Sequence, residues 1–152
     1  MLLAAFIIGE PISGPAVQYA ITVPGKSGVF VAFVSEFVIS FVLMSIILIV
    51  SNRQSVAKYT GLFAGVLVAL YIAIEAPLSG MSMNPARTLG SAFPAHLYTA
   101  LWIYFTAPPL GMIFAAELYK HGTSNRVACA KLHHQNSRRC IFCGSPGEMS
   151  AA

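Results

Sequence analysis

The sequence has very little charge. Charged residues make up 9% of its 152 residues and hydrophobic residues 57%, whereas about a quarter of an ordinary soluble domain is charged. So few charged side chains cannot cover a water-exposed surface, and the composition predicts that lipid surrounds most of the chain. At roughly 20 apolar residues per crossing, the length allows three or four spanning helices.

The sequence also lacks the patterns of several other protein classes. The apolar part contains no acid–base pair or activated nucleophile, so we expect no enzymatic activity. The basic residues form no patch with interleaved aromatic side chains, which argues against a nucleic-acid partner. Residues 1–10 are mostly apolar but have neither a basic start nor a small-x-small cleavage pattern. They are predicted to be the end of a helix, and the alternative is a short membrane anchor that begins at Met1.

The net charge of +4 is concentrated near the C-terminus. From Lys120 onward the sequence has five basic residues and one acidic residue, while residues 1–119 carry four of each. Lys and Arg beside a membrane span are retained in the cytoplasm. The sequence therefore divides into a membrane part over residues 1–119 and a cytoplasmic tail over residues 120–152.

Three long apolar stretches predict spanning helices. They cover about residues 29–50, 59–77 and 97–118, and each is long enough to cross the hydrocarbon layer. Arg53 and Lys58 place the loop between the first two spans in the cytoplasm, so the first span runs inward, the second outward and the third inward again. Pro108 and Pro109 interrupt the third span and are expected to kink it.

The segment between the second and third spans contains a helix signal of its own. Asn84 is a good N-cap residue, Pro85 suits the first helical position, and helix-forming residues continue to Ala92 before Pro94 is expected to stop the helix. A helix over residues 84–92 would be about 14 Å long, which is half of a hydrocarbon core. The pattern predicts a re-entrant half-helix that enters the membrane from the outside.

The start of this half-helix predicts specific chemistry. A helix N-terminus carries a partial positive charge of about half an electron, and the Asn84 amide adds a hydrogen-bond donor beside it. Arg87 lies three residues further along, on the same helical face. An arginine inside a membrane is costly and marks a functional site. Together these groups would repel cations and would turn the hydrogens of a water molecule away, which interrupts proton hopping.

The segment Ser82-Met83-Asn84-Pro85-Ala86-Arg87-Thr88-Leu89-Gly90-Ser91-Ala92 resembles the second signature loop of the aquaporin family, and the resemblance extends over residues 1–119. It implies an all-α membrane protein, similar to the family's C-terminal half, with three transmembrane helices and one re-entrant half-helix. It further implies a passive channel for water, or for small neutral solutes such as glycerol. The implied setting is a homotetramer surrounded by lipid in the plasma membrane, and transport needs no cofactor.

The resemblance also assigns roles to individual residues. Asn84, Pro85 and Ala86 would form the signature, Arg87 the constriction, Ile72 and Met81 the neighbouring filter positions, and Ser82 and Met83 would line the pore with their carbonyls. Buried Glu36 would steady the loop by accepting hydrogen bonds from its backbone. Ile72 stands where water-selective members have histidine, and Thr88 differs from the aspartate of glycerol facilitators. On balance the resemblance favours water.

Complete members of this family have two inverted repeats, each with one half-helix. This sequence contains Asn-Pro-Ala once. We expect the chain alone not to conduct. The alternatives are a membrane-anchored metal-binding or interaction module and a gene fragment without function. Glu75, near the outer end of the second span, is predicted to be either a vestibule charge or a residue exposed at the membrane interface.

The tail contains all three cysteines of the sequence. Cys140 and Cys143 have the spacing of two thiolates on one tetrahedral metal ion, and Cys129 with His133 would complete a zinc site. The alternative is a disordered tail whose thiols bind nothing. A disulfide between Cys140 and Cys143 is disfavoured in a reducing cytoplasm.

Overall fold

The computed structural model describes residues 3, 6, 7, 9, 14, 17–53 and 55–122, which contain helices and no strand. The helices are α1 (Gly28–Ser51), α2 (Thr60–Ile74), α3 (Ala76–Ser79), α4 (Pro85–Ala95) and α5 (Leu101–Gly122), with 3-10 turns at Gln18–Ala20 and Ala57–Tyr59. The predicted fold class, an all-α membrane protein, is confirmed. The proposed zinc ligands and most of residues 1–10 lie outside the described residues.

Three helical segments are long and apolar enough to cross a membrane: Gly28–Ser51, Ala57–Ile74 and Leu101–Gly122. The second ends three residues before the predicted limit of residue 77. Pro77 has no N–H for the helical ladder, so the chain makes the separate short helix α3 there. The third begins four residues later than predicted, because Ala100 has a positive φ of 51° that an α-helix cannot contain.

Helix α4 is longer than the predicted half-helix over residues 84–92. Pro94 was expected to stop it, but Pro94 lies inside the helix, which ends at Ala95. A proline removes only one donor near a helix end, whereas the left-handed conformation of His96, with φ 52°, ends the helix. Pro108 and Pro109 likewise lie within α5, which continues to Gly122.

Helices α1 and α5 pack closely and form the frame of the structure. A Cβ atom at Gly111 would overlap the Phe37 carbonyl oxygen, so the two helices approach each other at a distance that only glycine allows. Their contact buries Ala32, Ile103, Tyr104 and Ala107. Helix α2, by contrast, leaves most of its apolar side chains exposed. The α1–α5 frame carries the side chains that hold the re-entrant segment.

Candidate pore-lining site

The site begins at the N-terminus of α4, where Asn84 is the capping residue. Its side-chain Oδ1 accepts a hydrogen bond of 2.9 Å from the Ala86 amide, and Pro85 occupies the first helical position. Because Oδ1 faces the helix, the NH2 group of the exposed Asn84 side chain is the end left to donate outward. The N-cap predicted from the sequence is present.

The loop before α4, residues 80–84, has an unusual backbone. Met81 and Met83 have positive φ angles of 49° and 53°, in a region that residues with side chains enter at a cost of about 1 to 3 kcal/mol each. Gly80, with φ 79°, adopts a similar conformation without that cost. Such a backbone persists only where its surroundings determine it, so the loop requires strong partners.

Glu36, on α1, supplies those partners. Its Oε1 accepts from the Ser82 amide at 2.6 Å and from the Ser79 hydroxyl at 2.6 Å, and its Oε2 accepts from the Met83 amide at 2.7 Å. Its side chain is fully buried. Three short hydrogen bonds therefore converge on this one carboxyl group. The stabilising contact that the resemblance implied for Glu36 is therefore seen in the described residues.

These contacts also fix the direction of two carbonyl groups. In a trans peptide the C=O of one residue points opposite to the N–H of the next, and the described part of the chain has no cis peptide. The Ser82 and Met83 amides point at Glu36, so the Met81 and Ser82 carbonyls point away from it. That the Ser82 and Met83 carbonyls line a pore stays a prediction; these two bonds leave the direction of the Met83 carbonyl undetermined.

Two buried residues that the sequence analysis missed support this arrangement. Ser79 donates to Glu36, and the Tyr104 hydroxyl on α5 donates to the Ser79 carbonyl at 2.6 Å. Both side chains are fully buried. A tyrosine and a serine inside apolar stretches were the only signal in the sequence, and neither belongs to a recognisable motif. The loop and the residue before it are thus held by side chains from both α1 and α5.

Arg87 lies on the exposed side of α4, three residues after Asn84. Its Nη1 is 3.5 Å from the Gly80 carbonyl oxygen, a long hydrogen bond to the start of the loop. With Ala20, Ala86, Gly90 and Ser91, it lines an open cavity of about 270 Å³. The structure therefore brings the exposed Asn84 amide and the Arg87 guanidinium to one face of the half-helix.

The two other predicted filter positions have different environments. Ile72, on α2, is 57% exposed and free to line a passage. The Met81 side chain is only 4% exposed and packs with Ile39 and Met83. A side chain buried in that cluster does not share the exposed face of Arg87, so the filter role expected for the Met81 side chain is not supported.

Glu75 lies at neither of the two positions that were considered for it. Its side chain is 6% exposed, so it is neither a vestibule charge in contact with solvent nor a residue exposed at the membrane interface.

Residues 17–53 and 55–122, together with the few others described, contain no group of three metal-binding side chains.

The chain resembles known proteins over most of its length. Residues 2–119 match the family model described as Major intrinsic protein. Aquaporin NIP6-1 of Arabidopsis thaliana is 40% identical over 117 residues, which cover 76% of this chain and 38% of that protein. Aquaporin NIP3-1 of Zea mays is 39% identical over 119 residues, covering 77% and 39%, and Nodulin-26 of Glycine max is 39% identical over 103 residues, covering 67% and 38%. The chain thus spans less than half the length of these relatives.

Proposed function

The chain belongs to the major intrinsic protein family, and from this premise we propose that it forms one wall of a passive transmembrane channel for water and small uncharged solutes. The observation that carries the proposal is the half-helix α4, which presents the exposed Asn84 amide and Arg87 on one face above a loop held by Glu36. The family match favours a channel over a membrane-anchored interaction module.

The proposed mechanism uses fixed polar groups in an otherwise apolar passage. The carbonyls of Met81 and Ser82 accept hydrogen bonds from water, and the Asn84 amide donates to its oxygen. A water molecule bound to that amide beside the positive end of α4 turns both hydrogens away from the helix. The continuous donor–acceptor chain that proton hopping needs is broken there. No step in this mechanism is enzymatic, and transport needs no cofactor.

The passage proposed here favours water over glycerol. Thr88, which stands where glycerol facilitators carry an acidic side chain, favours water, whereas the aliphatic Ile72 makes the constriction less polar and leaves room for small neutral solutes. The buried position of Met81 removes one bulky side chain from the constriction, so we propose small neutral solutes as secondary substrates. We further propose a homotetramer in the plasma membrane with its C-terminus in the cytoplasm, because the basic residues cluster after Lys120.

A chimera tests the channel function. Residues 1–119 would replace the matching segment of Aquaporin NIP3-1 from Zea mays, which supplies the rest of the pore wall. We expect the chimera to raise the water permeability of vesicles, measured by stopped-flow light scattering, roughly tenfold or more above plain lipid. The 152-residue chain reconstituted alone is expected to match plain lipid, because one half-helix encloses no pore.

The parental maize protein, reconstituted at equal density, is the control for insertion and assay. A chimera that inserts at the parental level but leaves water flux at the value of plain lipid would contradict the proposed function. Flux through vesicles that contain only the 152-residue chain would contradict the requirement for a second half of the pore.

We also propose that the tail binds one zinc ion through Cys129, His133, Cys140 and Cys143, a ligand set supported only by its spacing. Metal analysis of the purified chain is expected to give about one zinc per chain. Cys140→Ser is expected to lower this ratio strongly, while His134→Ala, beside the proposed set, keeps it. A purified chain without zinc, or equal zinc in both variants, would rule out this site.

A further inference from the structure

The segment before α1, residues 20–25, contacts the start of the re-entrant loop. The Gly25 amide donates to the Leu78 carbonyl at 2.9 Å. A Cβ atom on Gly80 would lie 2.9 Å from the Thr22 Cα, so the two backbones touch at a distance that excludes a side chain. This segment lies outside the three membrane-spanning helices, yet it contacts the loop that carries the proposed pore carbonyls.

A chain of three buried hydroxyls connects this segment to the loop and to α4. Thr22 Oγ1 donates to Thr88 Oγ1 at 2.8 Å, Thr88 Oγ1 is hydrogen-bonded to Ser82 Oγ, and Ser82 Oγ donates to the Asn84 carbonyl at 2.9 Å. The three residues are 5%, 1% and 3% exposed, respectively. The Ser82 hydroxyl donates its one hydrogen to the Asn84 carbonyl, so Thr88 must be the donor in its hydrogen bond with Ser82. All three hydroxyls therefore donate in the same direction, from Thr22 toward Asn84.

The position of this hydroxyl chain matters for the constriction. Thr88 is the residue after Arg87, so a bond that fixes Thr88 also fixes the rotation of the first turn of α4. Ala20, two residues before Thr22, lines the same open cavity of about 270 Å³ as Arg87. The same segment therefore contributes cavity wall and holds the half-helix that carries the arginine.

We propose that Thr22 is a positioning residue of the channel, which sets the width of the passage beside Arg87 by holding Thr88 and Ser82 through its hydroxyl. This inference rests on the proposed channel function. Without the Thr22 hydroxyl, Thr88 loses a buried donor and the segment that carries Ala20 loses its polar contact with α4. The width of the passage beside Arg87 then varies more, and the permeability to solutes larger than water is expected to rise more than the permeability to water.

Solute selectivity in the chimera tests this proposal. Thr22→Val removes the hydroxyl at nearly constant volume and is expected to raise the ratio of glycerol to water permeability roughly threefold or more, the equivalent of one hydrogen bond. Thr22→Ser retains the hydroxyl and is expected to keep the permeability ratio of the chimera without this substitution. Thr106→Val, the same replacement at an exposed position on α5, is the matched control and is expected to change nothing.

A double mutant separates positioning from local packing. Thr88→Val is expected to raise the ratio as Thr22→Val does, and the variant with both changes is expected to equal either one, because all three break the same chain. The inference would be overturned if the two effects add. It would also be overturned if Thr22→Val leaves the permeability ratio of a water-conducting chimera unchanged, and in either case the proposed function stays intact. A chimera that conducts no water would overturn the proposed function first.

Hydrogen exchange gives a readout that does not depend on transport. In the 152-residue chain in detergent, amides of residues 79–84 are expected to exchange roughly threefold or more faster in Thr22→Val, because the loop opens more often without its outer partner. Thr22→Ser is expected to exchange at the original rate. Equal exchange in all three proteins would contradict the role assigned to Thr22.

Discussion

Replacing Glu36 with alanine is expected to lower the free energy of unfolding by about 3 to 5 kcal/mol, the largest loss of stability we predict for a single substitution. The change leaves three donors without their acceptor: the amides of Ser82 and Met83 and the hydroxyl of Ser79. Each buried, unsatisfied donor costs about 1 to 3 kcal/mol. Unfolding of the purified chain in detergent, followed by circular dichroism against denaturant, measures the loss.

Ser40→Ala is the matched control for this prediction. Ser40 lies one turn further along α1 and is fully buried, and its hydroxyl has no hydrogen-bond partner among the residues that the structure describes. Its removal strands no donor, so we expect a change within about 1 kcal/mol. Glu36→Gln keeps one acceptor oxygen and is expected to fall between the two. Equal losses for Glu36→Ala and Ser40→Ala would show that Glu36 acts only as a space-filling residue.

The predicted effect is large because Glu36 also compensates for backbone strain. Met81 and Met83 have left-handed conformations that cost about 1 to 3 kcal/mol each. Their alternation with Ser82 turns successive amides toward one carboxylate and successive carbonyls away from it. The conformation that is unfavourable for the two methionines is therefore the one that presents carbonyl oxygens to a passage. The same backbone conformation therefore accounts both for the strain in this loop and for the carbonyl oxygens that the proposed mechanism uses.

The half-helix could be predicted from the sequence because its start depends on neighbours in the chain. Asn84 caps the helix through an amide only two residues away, and Pro85 fixes its own φ. The end of the helix was wrong, since the left-handed turn at His96, rather than Pro94, terminates it. Local chemistry indicates where a helix can begin more reliably than where packing lets it end.

The supports of the loop could not be predicted in the same way. Tyr104 reaches Ser79 across 25 residues of sequence, and Thr22 reaches Thr88 across 66. Side chains of this kind carry no periodic signal, and their partners become apparent only once α1 and α5 pack. The Met81 side chain illustrates the same limit, since its place in the sequence suggested a filter position while its φ of 49° turns it into the cluster with Ile39.

Replacing Arg87 with alanine is expected to give the largest change in selectivity. In the chimera, we expect the permeability to small cations to rise about tenfold or more, because a unit charge near the passage contributes up to about 4 kcal/mol to the barrier at 4 Å and an effective dielectric constant of 20. The positive end of α4 and the Asn84 amide remain, so part of the barrier persists. Dilution-driven potentials and a pH-sensitive dye inside the vesicles would measure cation and proton entry separately.

Arg87→Lys separates the charge from the shape of the guanidinium. It retains the positive charge but not the planar set of donors, so we expect cations to stay excluded while the long contact with the Gly80 carbonyl is lost. Lys58→Ala, which removes a positive charge at the start of the span Ala57–Ile74 and not in α4, is expected to leave cation entry unchanged. If the Arg87→Ala variant admits no more cations than the unmutated chimera, then the positive end of α4 and the Asn84 amide form the barrier without Arg87. The role of Arg87 is then limited to shaping the passage for neutral solutes.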